Sequence, residues 1–256
     1  MMDGYDVFLD FREDLPEGQE RAALTTAYDQ AWNLAEEALG YKGEQVDLSL
    51  DTQTDHTVYQ KAHYEEGGDC SHLNIARTDL ALYKADSRFR GRQYCIMDSP
   101  GNLRADELII HESIHALHDQ LHSDLSSANE AMVEGVAEVG AYQALLKAQP
   151  DQETFNYVSN WVAHHLVAAN LTGKLSSYSL DEISLPFDLP DQNREFIQSQ
   201  LDWAQQFKSV ISERNREVLS KQGYYSEGFV DVCRELADNG RTLRDVAENG
   251  LGGEAQ

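Results

Sequence analysis

Apolar residues recur at helical spacing along most of the 256-residue chain, and alternating stretches interrupt this pattern in its first half. Alternation predicts strands at Tyr5–Phe11 and Val46–Leu50, and a hairpin pairing residues 79–83 with 93–97. Gly40 and Pro150 are typical signals for the end of a helix. The predicted helices cover residues 20–39, 103–122, 128–148, 151–170, 191–219 and 226–238.

These elements predict an α+β fold in which helices dominate. A hydrophobic content of 41% and an aromatic content of 9% are typical of a globular protein. The length suits one domain or two small subdomains. We expect residues 1–122 to form an N-terminal α/β subdomain, and residues 123–256 a helical C-terminal subdomain of the same domain.

The net charge of −25, from 45 acidic and 20 basic residues, narrows the choice of partners. It repels phosphate backbones and anionic bilayers, so neither nucleic acid nor a membrane surface is an expected partner. Cys70, Cys95 and Cys233 lack the spacing of a zinc finger or a redox pair, which favours a reduced compartment. With no signal peptide in the first residues and no long apolar run, we expect a cytoplasmic location.

The main chemical signal is His111-Glu112-Ser113-Ile114-His115, an H-E-x-x-H motif within a predicted helix. Residues four apart lie on one helix face, so both imidazoles can bind a single zinc ion. Glu112 then lies beside the metal, where it can take a proton from a bound water. Because this motif also occurs by chance, a third ligand is required.

The following helix offers Glu130, Glu134 and Glu138 on one face, at positions i, i+4 and i+8. Ser127-x-x-Glu130 matches a capping box, which gives Glu130 a structural role at the helix start. We choose Glu134 as the third ligand, since 18 residues separate it from His115, enough for a loop and a returning helix. Glu138 is a candidate to hydrogen-bond a ligand histidine.

Two further histidines and two aspartates near the motif leave alternatives open. Asp119 or Asp124 could be the third ligand, although both precede the second helix. His118 and His122 continue the histidine face and could bind a second metal ion, but ordinary polar roles are more common for such residues.

The motif, the 18-residue gap and Glu134-Gly135-x-Ala137 resemble the gluzincin metallopeptidases, the group of thermolysin and the aminopeptidase-N-like enzymes. Val133 replaces the Asn of the aminopeptidase version. The stretches 111–120 and 131–137 also resemble small bacterial and archaeal proteins with H-E-L-x-H-A-L-Q-D-Q and A-L-x-E-G-x-A. A late element of those proteins, Y-x-x-G-x-F-V, has a contracted likeness at residues 225–230.

This resemblance implies a zincin-like core, with a small β-sheet beside an active-site helix and a glutamate helix. It implies one catalytic Zn²⁺ held by His111, His115 and Glu134, with Glu112 as the general base. In that family an edge strand pairs with an extended peptide substrate, and residues 79–83 are the candidate here.

Gluzincins also supply a Tyr or His to stabilise the oxyanion, and Tyr225 is the first candidate because of the late element. Tyr224, His164 and His165 are its rivals, and Tyr225 could equally well only pack at a helix start. The sequence therefore predicts a zinc-dependent peptidase acting on a peptide or protein. The alternative is a gluzincin-like binding protein without hydrolysis, against which the presence of Glu112 argues.

Overall fold

The computed structural model describes residues 17–51, 58–63, 69–76, 104–122, 129–208 and 223–252. Within these ranges the chain forms seven α-helices and three strands. The helices are α1 (Glu17–Leu39), α2 (Ala105–Leu121), α3 (Glu130–Ala148), α4 (Gln152–Leu171), α5 (Asp191–Phe207), α6 (Gly223–Asp238) and α7 (Leu243–Asn249). The strands are β1 (Asp47–Asp51), β2 (Val58–His63) and β3 (Asp69–Ala76).

The helices build the hydrophobic core. Its buried side chains come from all seven helices and from the connections around residues 175–189. Helix α2 packs against α1 and α3, while α3 also packs against α6. The apolar residues of these amphipathic and largely buried helices cover one another, so a core forms where the helices meet.

The predicted α+β fold with a zincin-like core and β-sheet is wrong. The described part of the chain is dominated by helices, and the buried hydrophobic residues described there lie in and between helices. Leu48 of β1 is partly buried and packs against this core. The backbone pairing β1-β3-β2 lies within residues 47–76, where few side chains are described. Among the described residues the core is therefore formed by helices packed on helices.

Several predicted elements can be compared with the described residues. The helices predicted over 103–122, 128–148 and 151–170 correspond to α2, α3 and α4, and the strand predicted at 46–50 corresponds to β1. The strand at 5–11 and the hairpin of 79–83 with 93–97 lie outside the described residues. The division at residue 122 stays a prediction.

A network of side-chain hydrogen bonds around Arg104 joins the start of α2 to two other helices. Arg104, just before α2, donates hydrogen bonds to Asp106, to Thr154 in α4 and to Gln149 just after α3. Asp106 is 1% exposed, so its charge is buried beside the guanidinium that balances it. This hydrogen-bond network joins three helix ends and fixes the position of α2.

Two glycines allow α3 and α6 to approach closely. A Cβ atom at Gly228 would overlap the carbonyl group of Ala131, and one at Gly135 would overlap the backbone of Gly228. Gly135 directly follows Glu134, so the close crossing brings α6 against the turn of α3 that carries this glutamate. None of the described helices is long and apolar enough to cross a membrane.

Candidate metal centre

Two rows of polar side chains face each other between α2 and α3. On α2, Glu107, His111 and His115 are spaced four residues apart and share one face. On α3, Glu134 and Glu138 have the same spacing. His111 and His115 contact Glu134, and His111 also approaches Glu138. The helices therefore run antiparallel with these two rows in register.

The primary cluster consists of His111, His115 and Glu134. The Nε2 atoms of the two imidazoles are 3.0 Å apart, and each lies 3.4 Å from Oε2 of Glu134. The three side chains are between 11% and 19% exposed. The structure therefore brings together the three residues that the sequence predicted as metal ligands.

The size of this triangle fits a metal ion. Ligand atoms about 2.0–2.1 Å from zinc, at tetrahedral angles, stand about 3.3–3.4 Å from one another. Two edges of the triangle have this length, and the third, at 3.0 Å, is slightly shorter. Two neutral imidazoles and a carboxylate are also a standard catalytic donor set for zinc, with one position left for water. The residues present fit a zinc ion.

The charges within the cluster favour an ionised Glu134. Burial alone would raise the pKa of Glu134, but hydrogen bonding with His111 and His115 outweighs it and holds the pKa well below its usual range. Burial likewise lowers the pKa of His111, yet Glu134 and the surrounding carboxylates raise it to about 10. In the metal-free protein the raised pKa favours a protonated, positively charged His111 beside these carboxylates.

A second group, the inner cluster, consists of Glu107, His111 and Glu138. Oε1 of Glu138 lies 4.0 Å from Nδ1 of His111. The two clusters therefore meet different nitrogens of one imidazole. Because a metal on both nitrogens would require an imidazolate, the inner cluster is better suited to orient His111.

The two glutamates of the inner cluster have opposite pKa shifts. Burial, and then the adjacent Glu138 carboxylate, raise the pKa of Glu107 to about 8. Burial opposes ionisation of Glu138 as well, but the neighbouring His165 and His111 outweigh it and lower the pKa of Glu138. The shifts therefore favour a proton on Glu107 and a negative charge on Glu138.

Glu112 lies next to His111 on α2 and is half-buried. Its carboxylate is close enough to contribute to the raised pKa of His111. A half-buried carboxylate adjoining the ligands is accessible to a water molecule, as a general base must be.

The candidates for oxyanion stabilisation lie in α4 and α6. Tyr225 is half-buried in the first turn of α6, one turn before Phe229. Phe229 stacks on the ring of His165, which lies 3.8 Å from Glu138. Tyr225 is therefore on a helix that contacts the site, although its role stays a prediction. The side chain of Tyr224 lies outside the described residues.

The alternative ligands do not join these clusters. Asp119 belongs to neither group of potential ligands among the described residues, and Asp124 lies outside them. His118 is fully buried, and its Nε2 contacts the carbonyl oxygen of Ala247 at 3.0 Å. This contact ties α2 to α7, which is a structural role.

The predicted capping box of Ser127 and Glu130 is wrong, because α3 starts at Glu130. Asn129 is the N-cap residue, and its side chain accepts a hydrogen bond from the backbone N–H of Ala131. Glu130 is the first helical residue and is exposed, while Ser127 lies outside the described residues. Glu134 lies one turn into the helix.

Sequence reasoning missed Glu107, Tyr142 and Tyr157. Glu107 precedes His111 by four residues, a spacing that could have placed it on the ligand face. The hydroxyl of Tyr157 donates to Glu107 over 3.4 Å, and that of Tyr142 lies 3.4 Å from Nε2 of His165. These tyrosines depend on packing between distant helices, for which the sequence carries no local signal.

Comparisons with family models, with curated proteins and with solved structures found no match for this chain. The arrangement of its own side chains is therefore the basis for assigning a function.

Proposed function

We propose that this protein is a zinc-dependent peptidase whose metal is held by His111, His115 and Glu134. The observation that carries the proposal is the triangle of Nε2, Nε2 and Oε2 atoms, with edges of 3.0, 3.4 and 3.4 Å. A structural zinc site would be closed by a fourth protein ligand. Among the described residues, three side chains that could bind a metal ion lie together, and such a set supports the proposal of a catalytic site with one position for water.

A zinc ion held by His111, His115 and Glu134 would acidify a water molecule and polarise the carbonyl group of the scissile bond. Glu112 would accept a proton from the attacking water and donate it to the leaving amine. Glu138, whose Oε1 atom lies 4.0 Å from Nδ1 of His111, is the proposed group that keeps Nε2 of His111 directed into the cluster. Tyr225 is the proposed donor to the carbonyl oxygen as negative charge develops there.

The first test measures zinc content and peptidase activity on the wild type, Glu112→Gln and Glu134→Ala. We expect about one zinc per chain in the wild type and in Glu112→Gln, because Glu112 is not a ligand. Activity against an unstructured protein such as casein should fall by at least about 100-fold in Glu112→Gln, since general-base catalysis contributes about 10²–10⁴-fold. Glu134→Ala should lose both zinc and activity.

Glu130→Gln is a matched control, since Glu130 is an exposed glutamate one turn before Glu134 on the same helix. It should bind zinc and cleave casein as the wild type does. A wild type that stays empty in excess zinc would refute the metal site. A zinc-loaded wild type whose activity is equal in Glu112→Gln would refute the peptidase and favour a metal-binding protein without hydrolysis.

A further inference from the structure

Glu138 lies between two histidines from different helices. Its Oε1 atom faces Nδ1 of His111 at 4.0 Å, and its Oε2 atom faces Nε2 of His165 at 3.8 Å. Both distances exceed a hydrogen bond, and small side-chain movements would bring either contact within range. One carboxylate therefore connects the metal helix α2 to α4.

The ring of His165 is held in place on several sides. It stacks on Phe229 with centroids 5.0 Å apart and an interplanar angle of 19°. The Tyr142 hydroxyl approaches Nε2 at 3.4 Å, and Trp161 packs against the ring at 6.3 Å. Such a ring cannot turn freely, so its Nε2 atom is a fixed point against which a carboxylate can be oriented.

The burial of His165 argues against direct contact with a substrate. Its side chain is 6% exposed, and Nε2 faces both Glu138 and Tyr142. Its Nδ1 is buried and has no hydrogen-bond partner within the described part of the chain. A donor to a substrate carbonyl must be accessible to the substrate, whereas this ring is buried with its Nε2 atom facing Glu138 and Tyr142.

We propose that His165 is a positioning residue of the metal centre: its Nε2–H holds Glu138, and Glu138 in turn orients the ligand His111. The inference rests on the zinc site proposed above and adds to it a residue of α4 that lies behind Glu138. Partners behind a ligand histidine fix its tautomer and ring orientation, and their loss weakens metal binding. His165 acts through Glu138, so its effect should vanish when Glu138 can no longer accept the contact.

The test measures zinc affinity by competition with a chromophoric chelator. His165→Phe keeps a ring for stacking on Phe229 and removes both nitrogens. We expect it to weaken zinc binding about 10-fold, at the lower end of effects seen for groups behind a ligand. His165→Gln carries an amide N–H near the place of Nε2, and it should recover affinity to within about threefold of the wild type.

A double-mutant cycle separates positioning from general packing. Glu138→Gln should weaken zinc binding, and adding His165→Phe to it should change affinity by less than about twofold. Trp161→Phe is the packing control, since it alters the aromatic contact to His165 and leaves Nε2 in place. It should bind zinc within about twofold of the wild type.

Equal affinities of the wild type and His165→Phe would overturn the proposal, as would a full 10-fold loss in the Glu138→Gln background. A loss in Trp161→Phe as large as in His165→Phe would assign the effect to packing and overturn it too. A wild type without zinc affinity refutes the metal site and this inference together. Normal zinc binding without peptidase activity refutes the peptidase alone, because every readout here is metal affinity.

Discussion

His111 and His118 lie about two turns apart on α2, and both side chains are largely buried. Burial lowers the pKa of each, but only at His118 does it prevail, giving a pKa of about 4. Around His111 the carboxylates of Glu134 and Glu138 reverse the effect, and the pKa rises to about 10. The two histidines therefore differ in their partners and not in their burial.

This difference separates a proposed metal ligand from a structural histidine. The Nε2 of His111 faces another imidazole and a carboxylate, a set of donors that attracts a cation. The Nε2 of His118 contacts the carbonyl oxygen of Ala247, so it serves as the donor in a bond between α2 and α7. One helix thus carries both kinds of histidine, and the carboxylates of α3 decide which kind each becomes.

The largest expected effect is the difference in zinc affinity between two variants, one without a proposed ligand histidine and one without the structural histidine. His115→Ala deletes a proposed ligand and should weaken zinc binding by more than about 100-fold, beyond the 10–100-fold typical of residues behind the ligands. His118→Ala should change zinc affinity by less than about threefold. Chelator competition measures both, and comparable losses in the two variants would contradict the distinction.

The next effect is the pH dependence of zinc binding. Zinc requires a neutral His111, whose pKa in the metal-free protein is raised to about 10. Below that pH each zinc bound should displace one proton, so affinity should rise up to about 10-fold per pH unit. Titration calorimetry at pH 7 and pH 8, in buffers of different ionisation enthalpy, measures the proton release. Identical affinities at both pH values would contradict the raised pKa.

A third effect concerns the stability of the metal-free protein in acid. The folded pKa of His118 is about 4, below its ordinary 6.5. The unfolded chain therefore binds more protons between these values, and His118 contributes stability above pH 6.5 that is lost as the pH falls towards 4. In His118→Phe the free energy of unfolding, from urea titrations, should fall less steeply over this window.

The contribution of His111 to the free energy of unfolding changes with pH in the opposite direction. Its folded pKa is raised from 6.5 to about 10, so its contribution is complete below pH 6.5 and is lost as the pH rises towards 10. In the metal-free protein, His111→Phe should therefore flatten the alkaline side of the same stability profile. A variant that flattened the acid side instead would reverse the assignment of the two histidines.

Local sequence patterns were sufficient to predict the helices that carry the candidate ligands. The predicted ranges 103–122 and 128–148 differ from α2 and α3 by at most two residues at either end. Spacing of four residues, which places His111 with His115 and Glu134 with Glu138, is a property of the helix alone. Pairing Glu134 with the two histidines required only that α3 return beside α2.

The partners that α4 and α6 supply behind Glu138, and the class of fold, were beyond that kind of pattern. The contact of His165 with Glu138 depends on how α4 packs against α3, and the stacking of Phe229 on His165 depends on α6. Helix α7, only seven residues long, supplies the carbonyl that binds His118. The sheet expected in the core followed from the resemblance, while the buried apolar residues described here lie in and between helices.

The smallest expected effect is on stability near pH 8, where His118 is neutral. His118→Phe removes the hydrogen bond to Ala247 and leaves a buried carbonyl without its donor, but it also removes the buried Nδ1 atom, for which the described residues provide no partner. Loss of the hydrogen bond costs more stability than removal of the unpartnered Nδ1 atom restores, because the carbonyl of Ala247 stays buried in the variant. We expect a net loss of about 1 kcal/mol in the free energy of unfolding.

His122→Phe is the matched control for that measurement, since His122 ends the same helix and is only partly buried. Its substitution should change the free energy of unfolding by less than about 0.5 kcal/mol. If His118→Phe proved as stable as the wild type, the Ala247 contact would not be what holds His118. The contrast with His111 would then rest on the carboxylates of α3 alone.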